Sequence, residues 1–221
     1  MNEYRNEGVE MKWWAPLLAM MFLGALLIWV LVIWNPAGDG VDVSGVSIAP
    51  APQGGDFTLH SVTGPVSLEQ FRGKVAVLYF GYTWCPDICP TSLAMISAAL
   101  RQLTPAELAS VQTMFISVDP KRDTLERLAS YAQYFHPTIL GVTGTPEEVA
   151  TVAKLYGAGY RKVEQDSATN YVVDHTADIY VIDQQGKLFR TLPHGTPPAE
   201  ILAVLRELLH GDQARSVSVS D

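Results

Sequence analysis

Both cysteines of this 221-residue chain, Cys85 and Cys89, lie in the stretch GYTWCPDICP. Three residues separate them, and a proline follows each. That spacer lets the two Cα atoms come within the roughly 4.4–6.8 Å that a disulfide spans. Two thiolates could equally hold a soft metal ion, Cu(I) or Zn(II). A closed structural zinc site wants four ligands, and two cysteines cannot make an all-sulfur one. Cu(I) is content with fewer. A passive disulfide would stabilise little, because so short a loop removes little chain entropy when closed. The pair therefore reads as functional, either a redox dithiol or metal ligands.

The prolines constrain the loop. A residue before proline is pushed toward extended backbone, so neither Cys85 nor Cys89 is expected inside a helix. Pro90 suits a first helical position. Cys89 is then the expected N-cap, where the positive end of the helix lowers a thiol's pKa. Asp87 reads as a charge-tuning or turn-capping residue and not as a ligand. Tyr82 reads as packing, and Trp84 as an exposed aromatic for a partner.

The elements that must position these thiols are legible on both sides. VAVLYFGYT is a near-continuous apolar run suited to a buried central strand, and TSLAMISAALRQL follows with helical period. FTLHSVTGPVSLEQFRGK predicts a hairpin turning at Gly64-Pro65, then a helical turn. VQTMFISVD predicts a second buried strand, TLERLASYAQYF a helix, and ILGVTG a short strand or loop. TPEEVATVAKLYG predicts a helix with Thr145 and Glu148 as a capping box. ADIYVID and KLFRTL predict strands about the turn QQGK. PAEILAVLRELLHG predicts a closing helix ending at Gly211. Alternating strands and helices argue for an α/β domain, with the cysteine loop at the carboxyl end of a strand, where such sheets place their sites. The expected fold is thioredoxin-like with an N-terminal hairpin extension.

Five histidines are available. His60 lies in the first hairpin, His136 before a proline at a helix end, His194 in LPHGTPP, and His210 in the last helical turn; each reads as structural or solvent-facing. His175 differs. It lies in VVDHTADIYVID, just before a central strand, in the loop that faces the dithiol in a thioredoxin-like domain. Thioredoxins place a cis-proline there, and this chain has Asp174-His175-Thr176. That departure disfavours a general oxidoreductase and favours a site of Cys85, Cys89 and His175. Such a set suits Cu(I), and imidazole also holds Cu(II). Asp174 could orient the imidazole from behind or cap a turn.

The blocks GKVAVLYFGYTWCPDICPTSL, FISVDPKRDT and VDHTADIYVID, in this order, resemble the Sco/SenC family, with likeness over roughly residues 55 to 210. Its members are membrane-tethered, thioredoxin-like copper proteins that help assemble the copper site of cytochrome c oxidase subunit II. The resemblance implies copper ligation by Cys85, Cys89 and His175. It also implies a thiol-disulfide role that keeps the target's cysteines reduced, with Cys85 and Cys89 as the redox pair. The implied partners are cytochrome c oxidase subunit II, a periplasmic copper donor and a thioredoxin-like reductant. Asp119, Pro120, Arg122 and Asp123 match a family motif, readable as a strand-end turn with an ion pair or as a partner-binding element. Leu125 stands where many relatives have proline, with no functional loss expected. The alternative function is a periplasmic thiol-disulfide oxidoreductase or redox sensor.

Upstream, Trp13 to Trp34 contains no charged residue. As a helix this stretch would extend roughly 33 Å, enough to cross a hydrocarbon core. No convincing cleavage site follows it, so an uncleaved transmembrane anchor is expected. Arg5 and Lys12 precede it and the next basic residue is Arg72, which places the N-terminus in the cytoplasm. An acidic N-terminal tail is unlike a transit peptide, and a bacterial inner membrane with a periplasmic domain follows. In that compartment paired thiols can oxidise. The expected organisation is a cytoplasmic tail 1–12, an anchor 13–34, a linker 35–56, a copper-binding domain 57–211 and a disordered tail 212–221. A net charge of −8 makes nucleic acid a poor partner.

Overall fold

The computed structural model describes residues 14–33, 52–167 and 170–217. The chain divides into two compact units, Met1–Ala49 and Pro50–Asp221.

In the first unit the apolar stretch forms α1, Trp14–Ile33. Among the described residues no helix is long and apolar enough to cross a membrane, so the expected transmembrane helix gains no support from the structure. Trp13 and Trp34, the two ends of the apolar stretch, lie outside the described residues. So do the expected cytoplasmic tail 1–12 and most of the expected linker.

The second unit is built on a five-stranded sheet. Its strands are β3 (Val75–Gly81), β4 (Val111–Ser117), β5 (Ile139–Val142), β8 (Ile179–Ile182) and β9 (Leu188–Leu192). Their order is β5-β4-β3-β8-β9. β3, β4 and β5 run parallel, and β8 and β9 continue the sheet antiparallel. All seven residues of β3 are buried, which explains why its sequence is an apolar run and not an alternation. Alternate side chains still serve opposite faces. Tyr79 stacks on Phe115, and Phe115 meets the tilted ring of Tyr131 of α4 (Leu125–Phe135). Phe80 turns the other way, toward Tyr156 of α5 (Pro146–Tyr156).

The hairpin β1 (Thr58–Ser61) and β2 (Gly64–Ser67) precedes the sheet. It turns at Val62-Thr63, so Gly64-Pro65 opens the second strand instead of forming the turn. His60 is tied through its backbone to Thr143 at the end of β5 (2.7 and 3.0 Å), a structural use of that residue. Residues 52–56, expected as linker, are already attached: Gly54 N–H donates to the Leu155 carbonyl (3.1 Å) and the Tyr156 hydroxyl to the Gly55 carbonyl (2.8 Å). A short helix α3 (Pro105–Ala109), held by a Thr104–Glu107 capping box, was not anticipated. The capping box of Thr145 and Glu148 forms on α5, which ends at Gly157 in the left-handed region.

Two expectations are corrected. The last helix, α6, spans Pro198–Val217 and does not stop at Gly211. Gly211 is absent from the glycines with positive φ, so it lacks the conformation with which glycine ends a helix. The expected disordered tail is therefore helical through Val217, and 218–221 lie outside the described residues. Secondly, the segment before β8 is not a loop. It forms a separate two-stranded antiparallel sheet of β6 (Tyr160–Ser167) and β7 (Asn170–His175), and His175 is the last residue of its second strand.

Candidate metal centre

The first helix after β3, α2, spans Ile88–Leu100, with Asp87 at its N-cap. Cys89 is therefore the second helical residue, not the N-cap, and Pro90 the third. Proline is tolerated there because the first helical N–H groups have no intrahelical acceptor to lose. The free N–H of Cys89 points to the Cys85 sulfur at 3.4 Å. The thiol that meets the helix start is that of Cys85.

This inverts the expected polarity of the dithiol. Cys85 is half-buried, and its pKa is lowered, first by the hydrogen bond from Cys89 and further by His175 and the backbone N–H groups of the helix start. Cys89 is fully buried, and its pKa is raised by sharing that bond with Cys85 and by desolvation. The two shifts run in opposite directions, so Cys85 is the thiol that ionises more readily. The bond to Cys85 comes first, and burial adds to it because a thiolate at Cys89 would be cut off from water. Gly81 is the reason Cys89 packs so deep: a Cβ there would lie 2.6 Å from the Cys89 sulfur and 2.9 Å from Phe115.

His175 closes the group from the opposite side. Its Nε2 is 3.3 Å from Cys89 Sγ. Its Nδ1 is 3.0 Å from the Thr176 carbonyl. A carbonyl only accepts, so Nδ1 carries a proton there, and Nε2 is the nitrogen turned toward the sulfurs. The rings of Tyr82 and Tyr79 meet the imidazole edge-on, with centroids 5.9 and 6.3 Å away. One ligand atom from each of Cys85, Cys89 and His175 falls within 4.8 Å of the others, a spacing that could hold a metal ion. Cys85 and His175 line an open pocket with Tyr82, Pro86, Ile88 and Val173.

The neighbours sort themselves by contact. Asp174 is exposed and pairs with Arg161 at 2.8 Å, so it does not orient the imidazole; the Thr176 carbonyl does. The Asp87 side chain makes no cap bond. Trp84 is 54% exposed, with the Arg127 guanidinium 4.4 Å from its ring centre. His194 is bonded to Ser92 (2.9 Å) and His210 to Glu107 (3.0 Å), and His136 to Thr138 (2.8 Å). Sequence reasoning missed Gly81, Thr83 and Thr176. Only Gly81 left a trace, as a glycine at the end of a central strand beside the thiols, which suggests close approach.

Fold and site together define a thioredoxin-like α/β domain with a two-sulfur, one-imidazole pocket at the carboxyl end of β3. The SCO1/SenC family model matches residues 46–210, and the chain belongs to this family. It is 43% identical over 134 residues to the mitochondrial SCO2 homolog of Bos taurus, covering 60% of this chain and 50% of that protein. The chain thus matches about half the length of that relative. Among solved structures, apo Sco1 of Thermus thermophilus is 39% identical, with a TM-score of 0.65 over 73% of this chain and 93% of that one. ScoI of Bradyrhizobium japonicum, solved with copper bound, is 38% identical, with a TM-score of 0.64 over 70% and 98%.

Proposed function

We propose that this protein is a copper metallochaperone that binds copper through Cys85, Cys89 and His175 and delivers it to the subunit II copper site of cytochrome c oxidase during assembly. The observation that carries this reading is the convergence of two thiol sulfurs and an imidazole nitrogen within 4.8 Å. Two soft donors with one imidazole suit Cu(I) and tolerate Cu(II). The copper-bound relative and the order of the sequence blocks support it.

The unequal thiols imply an order of events. Cys85, ionised and accessible, takes copper from the donor by ligand exchange. Cys89 gives up its proton as its sulfur joins, and His175 Nε2 completes the site. Release to the acceptor runs in reverse. Copper supply belongs to a periplasmic donor, and a thioredoxin-like reductant restores the dithiol.

A reductase activity on the acceptor's cysteines is supported by the same polarity. The Cys85 thiolate attacks one sulfur of the target disulfide, forming a mixed disulfide and releasing the other target sulfur as a thiolate. Cys89, on losing its proton, attacks Cys85 Sγ; the Cys85–Cys89 disulfide forms and the second target thiolate leaves. Acting alone, this chemistry would make the protein a periplasmic oxidoreductase or redox sensor.

The uncharged stretch from Trp13 to Trp34 supports a single-pass inner-membrane anchor, N-terminus inside, that keeps the periplasmic domain near a membrane-bound oxidase.

Anaerobic copper titration of the full chain, reduced and in mild detergent, tests the proposal. The expected result is one tightly bound copper in the wild type and much weaker Cu(II) binding in His175→Ala. A wild type that binds no copper overturns the chaperone reading and leaves the oxidoreductase.

A further inference from the structure

The hairpin β6–β7 carries His175 but, among the described residues, shares no ladder hydrogen bonds with the central sheet that leads into the cysteine loop. An isolated two-stranded ribbon is marginal on its own, so side chains must hold it in place. Residues 119–123, just after β4, are placed to do so, and their contacts run in two directions.

One direction leads to the dithiol. Asp123 is fully buried. It accepts hydrogen bonds from the Thr83 N–H (2.9 Å), the Thr83 hydroxyl (2.6 Å) and the Ser117 hydroxyl (2.6 Å). Thr83 stands two residues before Cys85, and its hydroxyl also accepts from Arg127 Nε at 2.6 Å. Three donors on one buried carboxylate make a stiff brace at the root of the cysteine loop.

The other direction leads to His175. Asp119 accepts from Arg122 Nε and from the Tyr171 hydroxyl (2.7 Å). Arg122 Nη1 donates to the Tyr171 carbonyl at 2.9 Å, and the guanidinium lies 3.6 Å from the centre of that ring. Tyr171 stands four residues before His175 on β7. The Val173 N–H also donates to the Tyr82 hydroxyl (3.2 Å), which adds to this hold.

We infer that Asp119, Arg122 and Asp123 are positioning residues for the metal centre: one five-residue segment grips the cysteine loop with one carboxylate and the histidine hairpin with the other, and so sets the distance between the two halves of the site. The inference deepens the copper reading and rests on it for its role in binding. It assigns each arm a separate effect. Loosening Arg122–Tyr171 moves His175 and leaves the two cysteines where they were. Loosening Asp123–Thr83 moves the cysteines.

The test uses the full chain in detergent with two pairs of variants. Arg122→Lys and Tyr171→Phe weaken the histidine arm, and Asp123→Asn and Thr83→Val the cysteine arm. Three readings are taken: Cu(II) affinity, the dithiol–disulfide equilibrium against glutathione, and, without metal, the nuclear Overhauser contact between the His175 ring and the Cys89 β-protons. Histidine-arm variants are expected to weaken Cu(II) about 10-fold, as loss of ligand-orienting partners does. They should also lose the Overhauser contact, with a smaller change in the dithiol equilibrium than the cysteine-arm variants show. Cysteine-arm variants should shift that equilibrium as well. If Arg122→Lys and Tyr171→Phe keep the contact, or if both pairs shift the dithiol equilibrium alike, the two-armed assignment is wrong. Should Asp123→Asn fail to fold, Thr83→Val carries the same comparison. A wild type that binds no copper defeats the copper reading, and the metal-free contact still decides the positioning.

Discussion

Cys89 Sγ and His175 Nε2 stand 3.3 Å apart although 86 positions separate the two residues in the chain. The sulfur comes from the second residue of a helix and the nitrogen from the last residue of a hairpin. Neither element forms a ladder with the other, so the contact measures how well the whole domain is assembled.

Removing the imidazole should separate the two oxidation states of copper. Partners that merely orient a ligand are worth about 10–100-fold in affinity, so His175→Ala is expected to weaken Cu(II) by about 100-fold or more. Cu(I), which prefers sulfur, should be affected less because both thiols remain. Competition titrations with a Cu(I) and a Cu(II) chelator would measure both. Equal losses for the two ions would show that His175 acts by holding the fold.

Cys85 should be alkylated far faster than Cys89, and at pH well below the ordinary thiol value of about 8.5. The hydrogen bond from Cys89 lowers the Cys85 pKa, and the same bond together with burial raises that of Cys89. The signs oppose each other in stability. The lowered pKa of Cys85 contributes stability that is present above the unfolded thiol pKa and is lost as pH falls toward its folded value. The raised pKa of Cys89 contributes stability below the unfolded value that is lost as pH rises beyond it. Mass spectrometry of iodoacetamide-treated protein across pH would show which thiol reacts; preferential labelling of Cys89 would refute the assignment.

Gly81→Ala should damage the site without touching a ligand. The new Cβ would meet the Cys89 sulfur and the Phe115 ring inside ordinary contact distance. Overpacking of this kind costs about 1–3 kcal/mol, to be read from denaturant midpoints. Copper affinity should fall with it, because Cys89 must move. An unchanged midpoint together with unchanged binding would mean that the loop yields freely.

Asp174→Asn should do almost nothing. The carboxylate pairs with Arg161 in solvent, and exposed pairs contribute about 0.2–1 kcal/mol. Copper affinity is expected to stay at the wild-type value in the same titration. A clear loss would restore Asp174 as the residue that orients the imidazole.

Deleting residues 1–34 should release the protein from membranes. The full chain is expected to resist carbonate extraction and the shortened chain to fractionate as soluble, still binding copper. Release of the full chain by carbonate would end the anchor proposal.

Much of this molecule was readable along the chain because it is governed by short-range rules. The run VAVLYFG announces a strand buried on both faces, and it forms β3. Thr145 and Glu148 announce a capped helix, and the box forms. The soft donors were evident from residue type alone, and three ordered blocks indicated the family. The β6–β7 hairpin was not evident, since its strands carry mixed, charged sequence and pair outside the main sheet. Nor was the extension of α6, because glycine marks a helix end only when it turns left-handed.

By itself, then, the sequence determined the candidate donors and the fold class, since residue chemistry and hydrophobic period are local properties. Only the tertiary structure decided which thiol ionises, what orients the imidazole and how the two halves of the site are held together. Those answers depend on burial, on Gly81 admitting a sulfur, and on Arg122 reaching Tyr171 across 49 positions of chain. Such quantities exist only once distant segments are packed, because a pKa and an interatomic distance are set by neighbours in space.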